Sequence, residues 1–237
     1  MNIEFVSSID STNSELMRRA ASGDYSTTCL VAKEQTAGRG RLGRSWLSDE
    51  QSLMFSIGLP LAPIDWSGLS LAVGLSIAES LDPRIQIKWP NDLWVDGQKL
   101  AGILIETTAI KDAAAQRYAV IGVGINLEAP EAATVQAALD TKAVPIGLCK
   151  LIPGITQEVT LERILQPLVD TLKNFEQYSW KPYAASFVKR DALQGLSIKL
   201  SSGMAGEYAG INDQGALMLQ TTIGLQTIIS HEVSVCR

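Results

Sequence analysis

The sequence predicts an α+β protein: a mixed or antiparallel sheet packed on helices, followed by a small all-β appendage. Three observations predict it. Strand-like apolar runs alternate with amphipathic helical segments as far as Tyr178. The pair Asp96-Gly97 stands between two such runs and is a strong type I′ hairpin signal. Beyond Arg190 the helical periodicity stops, and short strands separated by Gly and Asp turns take over. The resulting division is residues 1–190 and 191–237.

The elements follow in order. "DSTNSELMRRAASG" reads as a capped helix, with Thr12 and Glu15 as a T-x-x-E capping box, Leu16, Met17 and Ala20 on one face, and Gly23 as the stop. "TTCLVAKEQ" is strand-like. "SLMFSIGLPL" is a second strand, ended by Pro60 and Pro63. In "DWSGLSLAVGLSIAESL" the residues Leu69, Val73, Ile77 and Leu81 form a helical stripe suited to pack on a sheet. "RIQIKW" alternates, "PND" turns, and "LWVDGQKLAGILIET" holds the hairpin signal. "YAVIGVGINLE" is apolar throughout and reads as a central strand. From Leu161 to Tyr178 the residues Leu161, Ile164, Leu165, Leu168, Val169, Leu172 and Phe175 mark an amphipathic helix, which Pro167 should kink. "PYAASFVKRDAL" reads as a short helix ending in a linker near Arg190. The tail offers the strands "LSIKL", "GEYAGI", "ALMLQT" and "LQTIISHEVSV".

Composition bounds the function. A 237-residue chain with 46% hydrophobic and 19% charged residues can build a sizeable core. Its net charge of −5 gives no bulk support for nucleic-acid or bilayer binding. The N-terminus lacks the pattern of a signal peptide, and no apolar run approaches the roughly 20 residues that span a bilayer. Cys29, Cys149 and Cys236 are odd in number and outside any CxxC, which suggests reduced thiols in a cytoplasmic protein. His231 is the only histidine, so a His-based zinc site or a Ser-His-Asp triad would rest on it alone.

Two segments depart from this background. "EQTAGRGRLGRSW" places Arg39, Arg41 and Arg44 among glycines, without the G-K-[ST] of a Walker A loop or a Rossmann G-x-G-x-x-G. Guanidinium forks suit carboxylates and phosphates, so this flexible basic loop is fitted to close over an anion. In "IKWPNDLWVDGQKLAGILIE", Lys88 ends an alternating strand just before a Trp-Pro-Asn-Asp turn. A lone strand-end lysine is an ordinary surface residue; beside that turn it is a candidate for chemistry.

Taken in this order, "DSTN", "EQTAGRGRLGRSW", "KWPNDLWVDGQKLAGILIE" and "IGVGINLE" closely resemble the signatures of the biotin–protein ligases. The resemblance covers most of residues 5–128 and resumes around "GAL" in the tail. It implies a class II synthetase-like catalytic domain over residues 1–190 and an SH3-like β-barrel over 191–237. It also implies ATP and biotin as substrates, Mg²⁺ on the phosphates, a biotinyl-5′-AMP intermediate, and transfer to a lysine of a biotin carboxyl carrier domain. Arg39 and Arg41 on the closing loop, with Lys88 opposite, would offset the repulsion between the biotin carboxylate and ATP. By motif position Ser11, Thr12 and Asn13 match the biotin-recognition residues, whose hydroxyls and amide could pair with the ureido ring, and Gln35 matches the position reaching the ureido group or the carboxylate. Gly38, Arg39 and Lys88 join that set. Gly122 and Gly124 would let the backbone approach the ligand, and Leu93, Gly102 and Ile103 would line the same pocket. Arg41, Arg44, Trp46 and Asn126 match positions serving the nucleotide.

Some positions depart from the family pattern. Some relatives begin with a winged-helix DNA-binding domain; this chain starts essentially at the catalytic domain, so direct DNA binding is not expected. The C-terminal family pattern Gly-Glu-x-Ser-x-Arg is met by "HEVSVCR", with Cys236 in the arginine's place and Arg237 one residue later. Residues 143–159 match no motif. The resemblance leaves a homodimer through sheet-edge pairing open. Two rivals stand beside the leading reading: lipoate or octanoate transfer on the same fold, and a non-catalytic biotin- or nucleotide-binding sensor.

Overall fold

The computed structural model describes residues 1–46, 51–113, 115–130 and 144–236. In chain order the elements are β1 (Asn2–Ile9), α1 (Thr12–Ala21), β2 (Thr28–Gln35), β3 (Ser52–Leu61), α2 (Leu69–Leu81), β4 (Gln86–Lys88), β5 (Asp92–Val95), β6 (Gln98–Ala109) and β7 (Arg117–Asn126). They continue with α3 (Gln157–Tyr178), α4 (Ala184–Val188), β8 (Ser197–Leu200), β9 (Ala205–Ile211), β10 (Leu217–Thr221), β11 (Gly224–Ile228) and β12 (Val233–Val235). The chain divides into two compact units, Met1–Ala62 with Val95–Arg163 and Pro63–Trp94 with Ile164–Arg237. Arg237 and residue 143 lie outside the described residues. No helix among the described residues is long and apolar enough to cross a membrane.

In the first unit the strands run in the order β1-β2-β3-β7-β6. β1 lies parallel to β2 and the remaining neighbours are antiparallel, so the sheet is mixed as the sequence predicts. β7 is flanked by β3 and β6, which explains its apolar run. Leu16 and Ala20 of α1 pack on Leu30, Tyr118 and Val120, with Val6, Ile9 and Met17 around them. Each large apolar side chain buried there contributes about 1.5–3 kcal/mol. Pro60 does not end β3; it pairs with Tyr118 inside the strand. β2 pairs with β3 only as far as Gly58, so the missing proline N–H falls where β3 has a single partner. Asp96 and Gly97 both take positive φ, 49° and 76°, as the type I′ turn requires.

The α1 cap differs from the sequence expectation. Ser11 is the N-cap, its Oγ accepting from Ser14 N. Thr12 is drawn instead into a buried hydrogen-bond chain, and the Glu15 carboxylate accepts from Arg18 and Arg19, its i+3 and i+4 neighbours. Arg18 also grips Asp10 bidentately, at 2.7 and 2.9 Å, and holds that carboxyl down to about 2. The depressed acid favours the fold above its ordinary value of 3.8, and that contribution is lost as pH falls through about 2. Both side chains are substantially exposed, so the effect is small. Asp10→Asn is therefore expected to lower Tm slightly at neutral pH, with the gap to the parent closing on acidification. A gap that persists in acid would contradict the assignment.

In the second unit α2 is buried on nearly every side, the predicted stripe of Leu69, Val73, Ile77 and Leu81 included. α3 begins at Gln157, ahead of the predicted Leu161, because Thr156 Oγ1 caps Val159 N. The helix continues through Pro167, which lies on its exposed side. Phe175 near its end and Trp180, Tyr183 and Phe187 beyond it form an aromatic cluster, with neighbouring ring centroids 5.7–6.2 Å apart. β4 and β5 make an antiparallel pair. The tail forms an antiparallel five-stranded sheet in the order β11-β10-β9-β8-β12. "LQTIISHEVSV", read as one strand, is two: β11 pairs with β10, and after a break at Ile229–Glu232 β12 pairs with β8. Nor do residues near Arg190 form a free linker. Ile87 N donates to Arg190 O and Ala192 N to Ile87 O, at 2.7 and 3.0 Å.

Candidate active site

The N-terminus of α1 brings a set of predicted residues together under the sheet of the first unit. Ser11, Thr12 and Asn13 are each only 3% exposed. Thr12 N donates to Gln35 Oε1 at 2.8 Å, which fixes that amide with its oxygen inward. Thr12 Oγ1 lies 2.6 Å from Ser56 Oγ and 3.1 Å from the same Gln35 oxygen. Ser56 Oγ donates to Asn13 Oδ1 at 2.6 Å. Asn13 Nδ2 donates to Glu106 Oε2 at 2.9 Å and Leu104 O at 3.2 Å, so its orientation is fixed too. With the Ser56 proton committed to Asn13, the single Thr12 proton serves the shorter contact, to Ser56. The polarity then runs one way, from Thr12 through Ser56 to Asn13 and Glu106.

This chain continues into the basic loop, because Glu106 Oε2 also accepts from Arg39 Nη2 at 2.6 Å. The loop is a small closed turn. Trp46 N donates to Gly38 O, Gly40 N to Arg44 O, and Arg39 bridges Ser45. Arg41 opens a 3₁₀ turn through Leu42 and Gly43 and is half-buried; Arg44 is exposed.

Across the sheet, Ser56, Gly122 and Leu104 are in register, and so are Met54, Gly124 and Gly102. The missing side chains leave a groove that other groups enter. A Cβ on Gly122 would collide with the Asn13 carboxamide. One on Gly124 would stand 2.5 Å from the Trp46 indole, and one on Gly102 would stand 3.0 Å from it. Lys99 Nζ lies over that indole, 5.4 Å from the ring centroid. Trp46 Nε1 is buried without a hydrogen-bond partner among the described residues, a donor suited to a ligand acceptor. Ile103 is buried but follows Gly102 along the strand, so its side chain takes the opposite face and only its backbone can join the glycine row. Asn126 Nδ2 donates to the carbonyls of Lys99 and Ile146, at 3.3 and 3.4 Å, and so ties residues 144–146 to β6.

Lys88 and Leu93 belong to the second unit, on β4 and β5. Lys88 is 8% exposed, and its Nζ stands 4.8 Å from the centroid of the Trp94 ring on the same face of the pair. Leu93 faces the other way, opposite Ile87. Among the remaining thiols, burial pushes Cys29 up to about 12, which leaves it inert as a nucleophile.

Ser56, Glu106 and Lys99 were not predicted. Ser56 carried a signal, being a lone hydroxyl inside the apolar run "LMFSIGL". Glu106 and Lys99 sit on a strand with polar neighbours and look like solvent-facing residues in the sequence.

The geometry has counterparts among known proteins. A biotin–[acetyl-CoA-carboxylase] ligase of Mycobacterium tuberculosis is 32% identical over 96% of this chain and 85% of its own length. The bifunctional ligase/repressor BirA of Escherichia coli is 33% identical over 96% of this chain and 72% of its own. A solved structure, the biotin protein ligase from Aquifex aeolicus in complex with biotin and ATP, superposes with a TM-score of 0.79 at 28% identity, covering 100% of this chain and 99% of that one. The family model for the biotin/lipoate A/B protein ligases matches residues 5–126, the span that carries the hydrogen-bond chain, the basic loop and the glycine row. By that match and by these relatives, the chain belongs to the biotin/lipoate A/B protein ligase family.

Proposed function

We propose that this protein is a biotin–protein ligase that forms biotinyl-5′-AMP from biotin and ATP, releasing pyrophosphate, and then acylates one lysine of a biotin carboxyl carrier domain. The observation that carries this reading is the hydrogen-bond chain Gln35–Thr12–Ser56–Asn13–Glu106–Arg39, which runs from buried hydroxyls and an amide out to a cationic loop. A ureido ring has one strong acceptor and two donors, and hydroxyls and amides with fixed polarity recognise it because a mismatch leaves buried groups unpaired. Gly122, Gly124 and Gly102 are assigned to the same biotin pocket, where their lack of side chains lets the Asn13 carboxamide and the Trp46 indole stand against the sheet. Ser11 and Gly38 are assigned to that wall, to which Ile103 can bring only its backbone, and Leu93, facing away from Lys88, is left out of it.

In the first step a carboxylate oxygen bonds to the α-phosphorus while the bond to pyrophosphate breaks. Two anions must meet, so positioned cations are the main requirement. Arg39, Arg41 and Lys88 are assigned to that task, and Arg44 and Trp46 to the nucleotide. Arg39 is not idle beforehand, since it pairs with Glu106. That pair is partly exposed and worth at most about 1 kcal/mol, so an incoming phosphate or carboxylate can draw the guanidinium away. Mg²⁺ enters with the ATP phosphates, as part of the nucleotide substrate, and neutralises charge on the leaving group. Among the described residues no group of three or more His, Cys, Asp or Glu side chains is gathered to hold an ion. In the second step the carrier amine attacks the acyl carbon, the bond to AMP breaks, and the nitrogen loses a proton. Residues 1–190 are assigned as the catalytic domain and 191–237 as its C-terminal β domain, in a reducing, cytoplasmic setting that suits the free thiols.

Biotin-dependent exchange of labelled pyrophosphate into ATP tests the reading. Exchange is expected with biotin and not with lipoate. Exchange with lipoate alone would make the chain a lipoate ligase, and none with either acid would leave a binding protein. Arg41→Gly is expected to loosen the loop's hold on the adenylate, so that labelled adenylate leaves the protein faster and biotinylates non-cognate lysines. Release at the parent rate would remove Arg41 from that role.

A further inference from the structure

Lys88 is bracketed on both sides by the segment Arg190–Gly215. On one side, Ile87 exchanges backbone hydrogen bonds with Arg190 and Ala192 in a parallel bridge centred on Asp191. On the other, Trp89 Nε1 donates to Gly215 O at 3.1 Å. The bridge is itself held. The Asp191 carboxylate is buried, accepting from Tyr208 Oη at 2.6 Å and from Leu193 N at 2.9 Å. Arg190 Nη1 donates to the carbonyls of Asp82, Pro83 and Ile85 at 3.0, 3.2 and 2.9 Å, fixing the entry to β4. Gly215 is packed so closely that a Cβ there would come within 2.9 Å of Gly68 Cα.

Such an arrangement exceeds what attaching a small β sheet requires. A three-residue strand carrying a buried ammonium has few ladder bonds of its own, and these contacts fall on the two residues next to Lys88. From this we propose that Asp191 and Tyr208 are positioning residues for adenylation, acting through the Ile87 bridge to fix the Lys88 ammonium, a proposal that rests on the role given to Lys88 above. A buried carboxylate that loses its hydroxyl partner shifts or takes in water, and the bridge to Ile87 moves with it. Displacements of this kind, remote from the reacting atoms, cost rate rather than affinity.

The test is a double-mutant cycle read by pyrophosphate exchange in the full-length protein, at a temperature well below every variant's Tm. Tyr208→Phe is expected to lower kcat by about tenfold or more while KM for biotin and for ATP stay within about twofold. In a Lys88→Ala background the same substitution is expected to have almost no further effect on kcat. Trp89→Phe, which releases the other side of the bracket, is expected to behave in the same way and guards against a folding artefact at Tyr208. An unchanged kcat in Tyr208→Phe, with or without a lower Tm, makes the pair merely structural and overturns the proposal. So does a rate loss that persists in the Lys88→Ala background. If Lys88→Ala alone leaves kcat at the parent value, the role assigned to Lys88 fails first and the positioning role falls with it.

Discussion

Lys88→Ala is expected to lower the rate of adenylate formation by at least tenfold and by as much as about a thousandfold, with a much smaller change in biotin affinity. Removing one preorganised cationic or hydrogen-bond donor from a developing charge commonly costs ~2.7–4 kcal/mol. Lys88 fits that class because it is 8% exposed and stands at the end of a strand held at the residues on either side. An ammonium kept this far from water has been moved most of the way into the environment where charge acts most strongly. Rapid-quench measurement of biotinyl-5′-AMP without carrier separates this step from transfer. Near-parent adenylate formation would show that Lys88 serves another purpose.

Gly122→Ala is expected to raise KM for biotin about tenfold or more, since an unpaired buried polar group costs about 1–3 kcal/mol. The added methyl group would fall on the Asn13 carboxamide. Asn13 must then move, and it is the link between Ser56 and Glu106, so the polarity of the whole chain is lost. KM for ATP should change less, because the Glu106 carboxylate that Asn13 leaves keeps its ion pair with Arg39. Titration of biotin binding by calorimetry checks this directly. Unchanged biotin affinity would mean that the chain only fastens α1 to the sheet.

How legible the fold was depended on the range of the forces involved. The Asp96-Gly97 turn, the stripe of α2 and the unbroken apolar run of β7 are local patterns, and each appears where the periodicity predicts it. Capping was harder. Thr12 and Ser11 are equally good caps in isolation, and the choice is made by Ser56, 44 residues away from Thr12. Glu106 looks like a surface residue on an alternating strand until Arg39, 67 residues distant, and Asn13, 93 residues distant, arrive beside it. The stretch 144–146 matched no motif because it acts through backbone bonds to Lys99, which leave no side-chain signature. The same holds for residues 190–192, read as a linker although their backbone is paired with Ile87. Motif chemistry, by contrast, reads well at short range: the arginines and glycines of residues 38–44 marked a basic loop, and that stretch forms a closed turn whose Arg39 pairs with a carboxylate.

The most direct test of the cationic mechanism is a structure with a non-hydrolysable biotinyl-adenylate analogue bound. The Arg39 guanidinium is expected to have left Glu106 and, with Arg41 and the Lys88 ammonium, to lie within hydrogen-bond distance of the carboxylate or phosphate oxygens. Finding Arg39 still paired with Glu106, and Lys88 still over Trp94 with the ligand in place, would contradict it.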